Sequence, residues 1–151
     1  MDNVMLFREY TRELERNLEY LNESDCCRCN VNTLQCFLVV EIGRKPGICV
    51  KDLSEILKTD KSAISRGIEE LVVKGYVTRV PSAKDRRCVV LNLTPEGKKH
   101  FNKIESDMNA RFKSIFETIE EDKREKVIEA LRIYNDAFAN IMKKGQCQCS
   151  K

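Results

Sequence analysis

Residues 60–66 read Asp60-Lys61-Ser62-Ala63-Ile64-Ser65-Arg66, at the centre of the stretch from Ile48 to Gly97 whose reading decides the fold. Just ahead, Val50, Leu53, Ile56 and Leu57 recur at helical spacing, which predicts a short amphipathic helix over Val50–Lys58. Thr59-Asp60 supplies a turn and an N-cap, because either side chain can accept a hydrogen bond from the free N–H groups of the next helix. From Lys61 onward, Ile64, Ile68, Leu71 and Val72 fall on one face, while Lys61, Ser62, Ser65, Arg66 and Glu69 fall on the other. Gly75 ends this helix as a left-handed cap. Two short helices joined by a tight turn, the second carrying Ser, Ser and Arg near its start, are what a helix-turn-helix needs to present side chains to base edges.

Beyond Gly75 the period changes. Tyr76–Val80 is rich in β-formers, Pro81–Arg87 is a polar basic loop, and Cys88–Leu93 is rich in β-formers again. Val89, Leu91 and Leu93 share one face, so this is a hairpin with a long tip. Thr94-Pro95-Glu96-Gly97 restarts a helix, with Thr94 as N-cap and Pro95 at the first helical position. A helix-turn-helix followed by a charged hairpin is a winged helix. Its wing holds Lys84, Asp85, Arg86 and Arg87, a suitable probe for flanking phosphates or an electronegative minor groove.

Four segments in this order, Asp60–Arg66, Leu71-Val72-Val73-Lys74-Gly75-Tyr76-Val77, Asp85-Arg86-Arg87 and Leu93-Thr94-Pro95-Glu96-Gly97, resemble the MarR family of bacterial transcription regulators. The resemblance covers roughly residues 33–100, and the helical flanks fit that architecture by length. It implies an intertwined homodimer, a Ser- and Arg-bearing recognition helix in the major groove, and a wing arginine in the minor groove. By that resemblance Arg86 is the wing-tip reader and Asp85 its positioner. Many members of the family are regulated by small ligands, metals or thiol oxidation.

At 151 residues the chain has room for one ordinary domain, or a small domain with helical extensions. A formal charge of +3 is too mild to argue for nucleic acid. Its distribution says more, since Lys74, Arg79, Lys84, Arg86 and Arg87 cluster against a single acidic residue, Asp85. No apolar run approaches the roughly 18 residues of a membrane span, and the chain opens without a basic-then-apolar signal segment, so a cytoplasmic protein is expected.

Outward from the central unit, Leu6, Tyr10, Leu14, Leu18 and Leu21 mark one face of a first helix. Asn22–Asn32 is polar and reads as a loop, Leu34–Ile42 as a buried helix, and Gly43–Gly47 as a connector. After the wing, Phe101, Ile104, Met108, Phe112, Ile115, Phe116 and Ile119 trace a long stripe that Asp122 interrupts. Val127, Ile128, Leu131, Tyr134, Phe138 and Ile141 resume it, and Gly145–Lys151 reads as a polar tail. Stripes this long exceed what a compact monomer can cover, so a homodimer is expected. The domain plan is thus helical dimerisation regions at 1–21 and 98–144, a winged helix at 33–97, and a cysteine-containing tail at 145–151.

Lys61, Ser62, Ser65 and Arg66 are the candidate base and phosphate contacts of the second helix, since arginine can grip a guanine edge with two hydrogen bonds. Glu69 and Glu70 are expected to face away from DNA or to repel its backbone. Arg79, Lys84 and Arg87 join Arg86 and Asp85 as wing candidates. Eight cysteines are the unusual feature. Cys36, Cys49 and Cys88 read as small buried hydrophobes. Cys26, Cys27 and Cys29, with Cys147 and Cys149, lie in polar segments where packing is no explanation. Soft thiolates select thiophilic ions, and Arg28 would raise thiol reactivity, so these five are candidate ligands for arsenite or zinc.

The inventory holds no catalytic constellation, and no enzyme is expected. The fold class is mainly α with a small β-hairpin wing. The expected function is a homodimeric repressor on a double-stranded DNA operator, without a membrane partner, modulated by a thiol-directed metal or metalloid signal. The alternatives are a thiol oxidation sensor of the same fold, a cysteine-rich metal-binding protein without a DNA role, and a winged helix that docks on protein.

Overall fold

The computed structural model describes the backbone of residues 2–26 and 31–148 and the side chains of residues 2–22 and 31–145. The chain runs α1 (Asn3–Cys26), α2 (Thr33–Arg44), β1 (Ile48–Cys49), α3 (Val50–Leu57), α4 (Lys61–Val73), β2 (Val77–Pro81), β3 (Val89–Leu93), α5 (Pro95–Thr118) and α6 (Glu121–Gln148). The mainly helical winged-helix class expected from the sequence is observed. Met1–Glu105 and Ser106–Lys151 form two compact units.

In the first unit the core is Leu38, Val39 and Ile42 of α2, Leu53 of α3, Ile64, Ile68 and Leu71 of α4, and Ile48, Val77 and Leu91 of the sheet. Burying each such side chain stabilises the fold by about 1.5–3 kcal/mol, which is why these helices keep their apolar faces turned inward. Strand β3 is central, in the order β1-β3-β2, and every pairing is antiparallel. The register sets Val77 opposite Leu93 and Pro81 opposite Val89. Strand β1, unread in the sequence because two residues carry no periodicity, adds Ile48 opposite Leu91.

The predicted caps are present. Ala63 N–H donates to Asp60 Oδ1 at 2.9 Å, and Gly97 N–H donates to Thr94 Oγ1 at 3.0 Å. Gly75 has φ +79°, the left-handed geometry expected after α4.

Several boundaries differ from the sequence reading. Helix α3 ends at Leu57, one residue short of the expected Val50–Lys58, because Lys58 takes the left-handed conformation at φ 50°. Ser54 Oγ donates to Thr59 O at 2.6 Å, and Thr59 Oγ1 donates to Leu57 O at 3.0 Å, holding this turn. Helix α1 runs to Cys26, past the Asn22 start of the predicted loop, because polar residues extend a nucleated helix at small cost per residue. Helix α2 continues through Gly43 to Arg44, and α6 through Gly145 to Gln148. One interior glycine costs about 1 kcal/mol relative to alanine, too little to stop a formed helix.

The second unit contains the last part of α5 and all of α6. The turn between them is closed by Arg124, whose Nε donates to Ile119 O at 3.0 Å and whose Nη2 donates to Glu117 O at 3.2 Å. The same guanidinium lies over the Phe116 ring, 5.4 Å from its centroid. Phe112, Ile115, Ile128, Leu131 and Ile141 are exposed in the single chain. In the first unit Leu6, Tyr10, Leu14 and Leu18 of α1 are exposed as well.

Candidate nucleic-acid interface

Helix α4 presents two chemically distinct faces. Ile64, Gly67, Ile68 and Leu71 are buried, whereas Lys61, Ser62, Ser65, Arg66 and Glu69 are exposed. The sequence spacing produces this division directly, since a 3.6-residue period leaves the polar positions nowhere to go but outward. Behind the exposed face, Gly67 admits close approach of α2. A Cβ at that position would lie 2.7 Å from Leu38 Cδ1.

The inner, later turns of α4 are held by a buried amide. Gln35 is 1% exposed, and its Nε2 donates to the Glu70 carboxylate while Lys74 Nζ donates to its Oε1 at 2.9 Å. Glu70, itself exposed, therefore reaches across to α2. Glu69, one residue earlier, pairs with Arg79 of β2 at 2.8 Å, so the helix and the wing are directly linked. Sequence reasoning gave Arg79 a phosphate contact and missed this pairing. The only available signal was the opposite charge of two residues on neighbouring elements.

The wing tip spans residues 82–88 and is closed by Ser82 N–H donating to Cys88 O at 2.8 Å. Lys84, Asp85, Arg86 and Arg87 are all exposed. Asp85 organises the tip through the backbone, with Arg87 N–H donating to its Oδ1 at 3.0 Å and Cys88 N–H donating to its carbonyl at 3.0 Å. The carboxylate thus shapes the turn that carries Arg86. A flexible loop fixed in this way loses less entropy when its arginines meet an anionic partner.

The corner between α4 and the wing rests on α5. Thr94 Oγ1 donates to Gly75 O at 2.5 Å, and Thr94 N–H donates to Tyr76 O at 3.0 Å. Tyr76 stacks on His100 with ring centroids 4.9 Å apart and planes 5° from parallel. His100 Nε2 is buried without a hydrogen-bond partner among the described residues. Burial, then the charges of Lys103 and Lys74, hold this imidazole below the usual histidine range.

Of the cysteines, Cys36 packs against the core and Cys49 is half-buried, with its thiol 3.1 Å from Asp52 Oδ2. Cys88 corrects the sequence reading, for it is exposed at the wing base, just outside β3. Cys27, Cys29 and Cys149 lie outside the described residues, and so do the side chains of Cys26 and Cys147. Among the described residues, no three His, Cys, Asp or Glu side chains are grouped to hold a metal ion. No helix among them is long and apolar enough to cross a membrane.

A family model described as "MarR family" matches residues 30–87. The HTH-type transcriptional regulator BilQ of Clostridium symbiosum (strain WAL-14163) is 24% identical over 126 residues, covering 83% of this chain and 88% of BilQ. The crystal structure of Streptococcus pneumoniae FabT in complex with DNA superposes with a TM-score of 0.84 at 20% identity, over 92% of this chain and 99% of FabT. A MarR transcriptional regulator from Methanosarcina mazei Go1 gives 0.77 at 25% identity, over 91% of this chain and 99% of that one.

Proposed function

We propose that this chain, a member of the MarR family of winged helix-turn-helix transcription regulators, acts as a homodimeric repressor whose hold on its operator is set by a thiol-directed signal. One observation carries the DNA reading: Lys61, Ser62, Ser65 and Arg66 stand exposed on the outer face of α4, and Lys84, Arg86 and Arg87 stand exposed on the wing. Serine and arginine on a helix of this kind reach base edges in a major groove, and wing arginines favour the negative potential of a minor groove or of flanking phosphates. The cell compartment follows from the partner, since an operator is reached in the cytoplasm.

Two-fold symmetry fits the exposed apolar residues of α1, α5 and α6, which a second copy would cover. A symmetric dimer would set its recognition helices roughly 34–36 Å apart, one turn of duplex. The signal reading rests on the sequence: Cys26, Cys27, Cys29, Cys147 and Cys149 offer soft thiolates that suit arsenite, with three ligands, or zinc, with four. A thiol oxidation sensor of the same fold is the second reading, favoured by Arg28 within the cluster.

Electrophoretic mobility shifts with a two-fold symmetric duplex, selected from a random pool, and a scrambled one test the DNA reading. Arg66→Ala should lose sequence discrimination by about 1–3 kcal/mol, and Arg86→Ala should lower the salt slope by about one. Equal binding to both duplexes by the wild type would sink it. For the signal, wild type, a Cys26/Cys27/Cys29→Ser variant and a chain truncated after Gln146 are titrated with arsenite, zinc and peroxide while release is followed. Loss in the triple variant alone locates sensing near α1, and loss in both indicates a composite site. A wild type indifferent to all three agents removes the signal reading, and metal binding without any DNA affinity leaves a metal-binding protein.

A further inference from the structure

We infer that Gln35, remote from any DNA contact, is the positioning residue that sets the pose of the recognition helix and so its sequence discrimination. The inference rests on the reading of α4 as the recognition helix. Gln35 is the third residue of α2 and closes a capping box: its N–H donates to Asn32 Oδ1 at 2.9 Å, and Asn32 N–H donates back to its Oε1 at 3.2 Å. The same Oε1 accepts from Lys74 Nζ at 2.9 Å, and Nε2 donates to the Glu70 carboxylate. One buried amide thus joins the start of α2 to the end of α4.

An ordinary capping glutamine lies on a solvated helix end and contributes to its own helix alone. Gln35 differs in being 1% exposed and in spending both ends of its amide on another element. Glu70 and Lys74 stand four residues apart, on one side of α4, so the amide fixes rotation of that helix about its axis as well as its distance. One turn along α2, Leu38 seats over Gly67, and the two contacts together define how α4 crosses α2. Arg66 lies one turn before Glu70 on the same side of the helix, with Ser65 next to it on the exposed face, so any roll of α4 carries them with it. Apolar packing alone tolerates sliding by fractions of an ångström; a buried, satisfied polar network has one low-energy register.

Gln35→Leu keeps the volume and removes every side-chain hydrogen bond, leaving only the backbone N–H bond to Asn32. Gln35→Glu with Glu70→Gln restores them in reverse: the new carboxylate still accepts from Asn32 and Lys74, and the new amide at position 70 donates to it. Affinities for the selected symmetric duplex and for a scrambled duplex are measured at a temperature where each variant is fully folded by circular dichroism. Gln35→Leu should lower the ratio of the two affinities by roughly ten-fold while leaving scrambled binding and its salt slope within about two-fold. The swap should recover most of the ratio. Native-state hydrogen exchange on the same proteins should show faster exchange at Ile68–Val73 in Gln35→Leu, with α3 unchanged. An unchanged ratio in a folded variant, or α4 exchange identical to wild type, overturns the inference. A wild type that selects no duplex fails the DNA reading instead, and the exchange result then decides the positioning role by itself.

Discussion

The Glu69 carboxylate and the Arg79 guanidinium lie 2.8 Å apart, joining the exposed face of α4 to the first wing strand. Both side chains are about half exposed, at 59% and 43%, so solvent screens the pair and its removal should change stability by less than about 1 kcal/mol. The larger effect is electrostatic. Glu69→Gln removes a negative charge beside Ser65 and frees Arg79 for phosphate. Fluorescence anisotropy over a salt series should show tighter DNA binding and a slope steeper by about one. Weaker binding would mean that the pair orients the wing more than it offsets charge.

Gly67→Ala should destabilise the fold despite alanine's better helix propensity. The added methyl meets Leu38 Cδ1 at 2.7 Å, and Leu38 is fully buried, so its side chain must shift within the core. Overpacking costs about 1–3 kcal/mol, against the roughly 1 kcal/mol gained in propensity. Urea unfolding reads the net loss. Combining it with Leu38→Ala should cost less than the sum of the single changes, because the second removes the atom that the first strikes. Strict additivity would refute the contact.

The half-buried imidazole of His100, with its Nε2 buried, predicts a pH dependence of stability. Its folded pKa is lowered, by burial first and by Lys103 and Lys74 next, while the unfolded value stays near 6.5. Well above about pH 6.5, near the upper end of the melts, the residue is neutral in both states and contributes no slope. As pH falls below that value the unfolded chain binds the proton first, so stability declines until the folded pKa is passed. Thermal melts between pH 7.5 and 5 of wild type and His100→Phe should differ in that slope. A variant with the wild-type slope would assign the dependence to other groups.

The exposed apolar residues of the helical flanks predict association. Phe112 is 45% exposed in the single chain, and Phe112→Asp would place an unpaired charge in any interface that covers it. Light scattering should give a dimer for the wild type and a monomer for the variant, with DNA affinity falling in parallel. A wild-type monomer at micromolar concentration that binds DNA fully would refute the dimer.

The sequence by itself determined the helix-turn-helix, its polar and apolar faces, the caps at Asp60 and Thr94, the left-handed Gly75 and the two wing strands. Each depends on side chains within a few positions of one another, where the helical and strand periods and capping chemistry act. Helix ends were less legible: at Cys26 and Gln148 because extending a formed helix by polar residues costs too little to leave a pattern, and at Lys58 because a left-handed turn held by Ser54 and Thr59 stops the helix one residue early. Only the tertiary structure decided the rest. Gln35 is a polar residue in an otherwise apolar helix, and its partners Glu70 and Lys74 come to it only through α4, from 35 and 39 positions away. Glu69 met Arg79 across a turn, and Ile48 became a strand only because Leu91 lay beside it. Burial and pairing between elements are settled by how the helices cross, and no local period encodes that.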